Sequence, residues 1–142
     1  FSLVELIIVI AIMAVLIGVL APQYLKYVES SRLQKDNQAI AEIANSIKIA
    51  MADETINSSI ANSASESFDV NASHQYVFPS SPATALSTEL STVVGTTVTM
   101  SSNTYSGTAP TIVVSKDANG MITVTAQNYK TSSTAAAITQ TF

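Results

Sequence analysis

From Leu6 to Ala21 the chain carries no polar side chain, and this run, "LIIVIAIMAVLIGVLA", has the length and composition of a membrane-crossing helix. Counted from Phe1, the first 22 residues would span about 31 Å as a helix, close to the roughly 30 Å hydrocarbon core of a bilayer. Behind Pro22 the pattern changes. In "YLKYVESSRLQKDNQAIAEIANSIKIAMADE" the residues Leu33, Ile40, Ile43, Ala44, Ile47 and Met51 fall on one helical stripe, with no Gly or Pro between them. The pattern predicts one long helix over 1–54. Its first part, 1–22, is buried in lipid or among copies of itself, and its second part, 23–54, turns one stripe toward a head.

From Thr55 to Ser81 the sequence is rich in Ser, Asn and Ala without sustained periodicity, and it reads as a long surface connection. Ser81 fits the N-cap of a short helix over 82–94, with Pro82 in its first position, Leu86, Leu90 and Val93 on one face and Gly95 closing it. Beyond Gly95 the period falls to two. "TTVTMS", "TIVVSK" and "MITVTA" predict strands, "DANG" predicts a hairpin between the last two, and the C-terminal "AAITQTF" offers a fourth strand. The alternation puts Val, Ile and Met on one face and Thr and Ser on the other, so a sheet can cover the helix stripe. The expected fold class is α+β: a long N-terminal α-helix packed on a small antiparallel sheet, with residues 55–142 forming a globular head.

Composition narrows the function. The 142 residues carry a net charge of -4 and only six Lys and Arg, none in a block, so there is no basic surface for nucleic acid or anionic lipid. Cysteine is absent, which excludes disulfides and thiolate metal sites. Burying the apolar side chains of the first segment is worth about 1.5 to 3 kcal/mol each, so that segment is not left in water. A secretory signal peptide would show a basic start and a small-residue cleavage site, and the basic start is missing. Phe1 in place of Met is read as the product of processing.

Glu5 is the anomaly of the apolar run. An acid at a membrane helix centre costs about 2.5 to 3.5 kcal/mol, less near the end, so a partner is expected. The nearest basic side chain is Lys26. Two readings stand: the acid complements the helix dipole and the unsatisfied N–H groups of the first turn, or it pairs with the terminal amine of a neighbouring chain. Ala11, Ala14, Gly18 and Ala21 share one face, which would let helix backbones approach closely. Pro22 deprives the carbonyl of Gly18 of its helical partner, so Gly18 and Pro22 together mark either a kink or a segment able to extend. Asn57-Ser58-Ser59 and Asn71-Ala72-Ser73 fit the N-glycosylation pattern, for which unmodified surface asparagine is the simpler account. His74 has no partners at metal or triad spacing, and Asp117 with Asn119 is explained by a turn rather than by calcium. No cofactor and no catalytic residue is expected.

The opening stretch "FSLVELIIVIAIMAVLIGVLAPQYLKYVESSR" resembles the N-terminus of the type IV pilins and the related type II secretion pseudopilins. Phe1, Glu5, the unbroken apolar run, Pro22 and the Tyr24–Tyr27 neighbourhood carry the resemblance, over about the first third of the chain. It implies a prepilin peptidase that cuts ahead of Phe1, N-methylation of the new amine, and pairing of Glu5 with Phe1 of an adjacent subunit. It further implies a membrane platform protein and an assembly ATPase. The expected product is a major pilin: single-pass in the cytoplasmic membrane, then a helical homopolymer forming an extracellular pilus for adhesion, motility or surface attachment. A pseudopilin, or a DNA-uptake pilin for which nucleic acid would be a partner, is the alternative within the family. A monomeric membrane-tethered adhesin is the alternative outside it. Many pilins close a C-terminal loop with a disulfide, which this chain cannot form.

Overall fold

The computed structural model describes residues 1–78, 83–102, 111–127 and 138–141, the last four by backbone alone. Among the described residues three helices and six strands follow in the order α1 (Leu3–Ala50), α2 (Glu54–Ser59), β1 (Ser65–Asp69), β2 (Gln75–Val77), α3 (Ala85–Val93), β3 (Thr97–Thr99), β4 (Thr111–Lys116), β5 (Ile122–Gln127) and β6 (Ile138–Thr141). The fold class is α+β. The chain divides into two compact units, Phe1–Gln34 and Lys35–Phe142.

In the second unit the helix stripe behaves as its spacing requires. Ile40, Ile43, Ala44, Ile47 and Met51 are all buried. They join Leu86 and Leu90 of α3 and the inward residues Ile112, Val114, Ile122, Val124 and Ala126 of β4 and β5 in one core. Leu33, which falls in the first unit, is half-buried and not part of this core. Phe68 meets Phe78 edge to face, with ring centroids 5.4 Å apart. The outward positions of β4 and β5, Ser115, Thr123 and Thr125, are half-buried, and Val113 joins them there. Met121, expected on the inner face, sits exposed beside the turn instead.

The β4–β5 hairpin forms at "DANG". Asp117 Oδ1 accepts the N–H of Asn119 and of Met121, both at 2.8 Å, and Gly120 takes the left-handed conformation (φ +86°) that closes the turn. The β6 strand also forms where "AAITQTF" offered one, pairing antiparallel with β5.

Several elements differ from the sequence-based expectation. The helix expected to reach about Glu54 stops at Ala50, because Asp53 adopts an extended conformation and caps a new helix, its Oδ1 accepting the N–H of Thr55 at 2.8 Å. The stretch from Thr55 to Ser81 is not one long connection: through Phe78 it holds α2, β1 and β2. Strand β1 escapes the pattern because only Phe68 of "SESFD" is both apolar and buried, and the other inward position is Glu66, opposite Val114. That carboxylate accepts a hydrogen bond from the Thr84 hydroxyl, which satisfies it at the sheet edge. The four-stranded sheet therefore has the order β1-β4-β5-β6, while β3 leaves it to pair with β2 in a separate two-stranded sheet.

Helix α3 begins after Thr84 rather than at Pro82. Thr84 and Ser87 form a reciprocal capping box, and Gly95 (φ +105°) follows the C-cap. Ser81 and Pro82, the expected cap and first position, lie outside the described residues. Val93 is exposed, and Val94 packs on the core in its place, continuing the i, i+4 row from Leu86 and Leu90.

Candidate functional site

The candidate site is the first unit. No residue from Phe1 to Tyr27 is buried. Ile8 is 52% and Leu20 60% exposed, although every side chain from Leu6 to Ala21 is apolar. The single chain thus leaves its most apolar segment uncovered, and helix α1 is long and apolar enough to cross a membrane.

At its head, Ser2 and Glu5 close on each other. The backbone N–H of Ser2 donates to Glu5 Oε2 at 2.6 Å, and the backbone N–H of Glu5 donates to Ser2 Oγ at 3.2 Å. This is the reciprocal capping box of a helix whose first residue is Leu3. Among the described residues no ion pair joins Glu5 to the Phe1 amine. The carboxylate is therefore positioned within its own helix by Ser2, a residue the sequence reading passed over although the S-x-x-E spacing was there to find it. Phe1, Glu5, Leu6, Ile8 and Val9 line an open groove of about 500 Å³ at this end. Its walls are apolar apart from the carboxylate.

Ala11, Ala14, Gly18 and Ala21 lie on one face of the continuous helix α1. A methyl group added at Gly18 would meet nothing within 4 Å. Nothing inside this chain therefore demands glycine there. The helix also runs unbroken through Gly18 and Pro22, with the proline inside it.

The two glycosylation triplets are placed differently. Asn57 is half-buried in α2: its Nδ2 donates to the Met51 carbonyl at 3.0 Å, and its Oδ1 accepts from Lys116 Nζ at 2.6 Å. Asn71 is exposed at the turn between β1 and β2, where its Oδ1 accepts the N–H groups of Ser73 and Gln75. His74 sits half-buried in the same turn with φ +58°. Glu29 and Arg32, three residues apart on the helix surface, pair at 3.8 Å, a contact worth a few tenths of a kcal/mol at most.

No family model matches the chain, and no solved structure matches it. Among curated proteins the chain is similar to prepilin peptidase-dependent protein A of Clostridium perfringens (strain 13 / Type A), with 37% identity over 62 residues. The matched stretch covers 44% of this chain and 44% of that protein, less than half the length of either.

Proposed function

We propose that the chain is a pilin-type structural subunit, inserted in the membrane through α1 and then polymerised through the same segment into an extracellular filament. The observation that carries this reading is the uncovered apolar helix: from Leu3 to Leu20 it presents aliphatic side chains all round, with an acid at its head. A helix apolar on every side belongs in lipid or among other helices. The similarity to a protein named for its dependence on prepilin peptidase, together with the Phe1, Glu5 and Pro22 pattern, points the same way. In this reading the chain is a major pilin. Glu5 leaves Ser2 for the N-methylated Phe1 amine of an adjacent subunit, and a prepilin peptidase, a platform protein and an assembly ATPase act on the chain. Heterologous contacts that do not close into a ring then build a filament of unlimited length.

One observation favours the monomeric tether. The Ser2–Glu5 capping box already satisfies the carboxylate within one chain, so no neighbour is needed to hold it. Separation of sheared surface material from membranes in cells producing the chain decides between the two. The pilin reading expects most of the protein in sedimentable filaments; recovery solely as a detergent-extracted monomer overturns it.

A further inference from the structure

Asp36 is the one charged side chain among the described residues that is sealed from water, at 1% exposure. It lies on the stripe of α1 occupied by Ile40, Ile43 and Ile47, one turn before Ile40, where the pattern calls for an aliphatic residue. Both its oxygens are used. Oδ1 accepts the backbone N–H of Ser101 at 2.6 Å, and Oδ2 accepts that of Ser102 at 2.7 Å. The donors are consecutive residues just past β3, more than sixty positions away in sequence. Ser102 is itself buried, and Met100 before it is in the core, its N–H donating to the His74 carbonyl at 2.8 Å.

Two adjacent N–H groups, one on half-buried Ser101 and one on buried Ser102, held by one buried carboxylate make a strong arrangement while it lasts and a costly one to leave half-made. Among the described residues strand β3 pairs with β2 alone, over three residue pairs, outside the four-stranded sheet, and it is held to the core through Val98 and Met100 rather than through the β4–β5 ladder.

We propose that Asp36 and the amides of Ser101 and Ser102 form a clasp that opens and closes as a unit, fastening the segment after β3 to α1 while the β4–β5 core stays shut. Asp36 is also the first buried residue along α1 from the N-terminus. If the pilin-type reading holds, a pull on that helix therefore reaches the head interior first at the clasp. The clasp itself does not depend on that reading.

Hydrogen exchange on the full-length, unassembled chain in detergent tests it. In the wild type, the Ser101 and Ser102 amides should be protected but exchange through an opening with a smaller denaturant dependence than the amides of Val114 and Val124. Asp36→Asn keeps the shape but offers one acceptor and sets an NH2 group against the second N–H. It should speed exchange at Ser101 and Ser102 by roughly 10- to 100-fold while leaving the β4 and β5 amides within a few-fold. Unchanged exchange at both serines in a folded D36N chain overturns the clasp. Should D36N fail to fold, the wild type decides alone: exchange of the two serines solely through the same global opening as Val114 overturns it, and a separate, smaller opening supports it.

Discussion

Glu5 occupies one of two alternative partnerships, and its chemistry differs between them. Within the chain it accepts a backbone N–H and completes a helix cap, an arrangement worth about 0.5 to 2 kcal/mol. Opposite a neighbour's amine among packed apolar helices it would hold a buried charge pair, and removing one partner of such a pair costs about 3 to 5 kcal/mol. The second term is larger, so Glu5→Ala should leave the head folded yet sharply reduce filament yield. Normal yield from this variant would leave the cap as its only role. Gly18 gives an independent test at the small-residue face of Ala11, Ala14 and Ala21. Because a Cβ added at Gly18 meets nothing within 4 Å in the chain, a packing clash from Gly18→Leu would be with another molecule. Filament yield should therefore fall much further for Gly18→Leu than for Ile8→Leu, and equal tolerance would argue against a close-packed small face. Glu5 is conspicuous in the sequence as an acid before an apolar run, but the partner of its carboxylate is the backbone N–H of Ser2, an uncharged group signalled only by the S-x-x-E spacing. Asp36 was hidden for a different reason. An acid on an apolar stripe is noticed only once its two amide donors, far away in sequence, are brought beside it.

The elements that could be read in advance were those whose period is sustained. The stripe of α1, the β4–β5 hairpin and β6 all follow from repeated spacing or from turn chemistry concentrated in four residues. Strands β1 and β2 were missed because five- and three-residue strands at a sheet edge, with polar residues such as Glu66 turned inward, leave too few apolar positions to show a period of two. The boundary at Ala50 departs from the expected end near Glu54 because Asp53 caps a second helix. That cap makes a pH prediction. The backbone N–H and hydroxyl of Thr55, which hydrogen-bond the ionised form, hold the Asp53 carboxyl below its ordinary value of 3.8. A depressed folded-state value means that the contribution to α2 is fully present above the unfolded value and is lost as pH falls through the folded one. Amide protection in α2 should accordingly be flat from neutral pH down to about 4 and drop only below it, and Asp53→Asn, itself a good cap, should remove the drop. A decline beginning near neutrality would contradict this account of the cap.

At the scale of the molecule, the two units solve different problems. The second buries its own core, with helix stripe, α3 and sheet supplying the apolar faces. The first has no fully buried residue, and from Leu6 to Leu20 it is apolar on all sides. A free subunit in lipid cannot cheaply expose unpaired backbone groups, which accords with a helix unbroken through Pro22. In a filament, neighbouring helices replace lipid, the Gly18 carbonyl is already orphaned by Pro22, and Gly18 adds roughly 1 kcal/mol of helix penalty. The resemblance to bacterial pilins implies that the stretch from about Leu16 to Pro22 then extends, which would lengthen a six-residue segment by roughly 11 Å as the rise per residue goes from 1.5 Å toward 3.3 Å. A helical reconstruction of filaments from cells producing this chain, at side-chain resolution, tests the central claim most directly. The account predicts the segments from Phe1 to about Ala21 bundled in the filament interior, with each Glu5 carboxylate within hydrogen-bond distance of a neighbour's Phe1 amine and an extended backbone before Pro22. Continuous helical density from Val15 through Tyr24 would remove the extended segment alone, whereas Glu5 still closed on its own Ser2, with no neighbour's amine in reach, would contradict the claim itself.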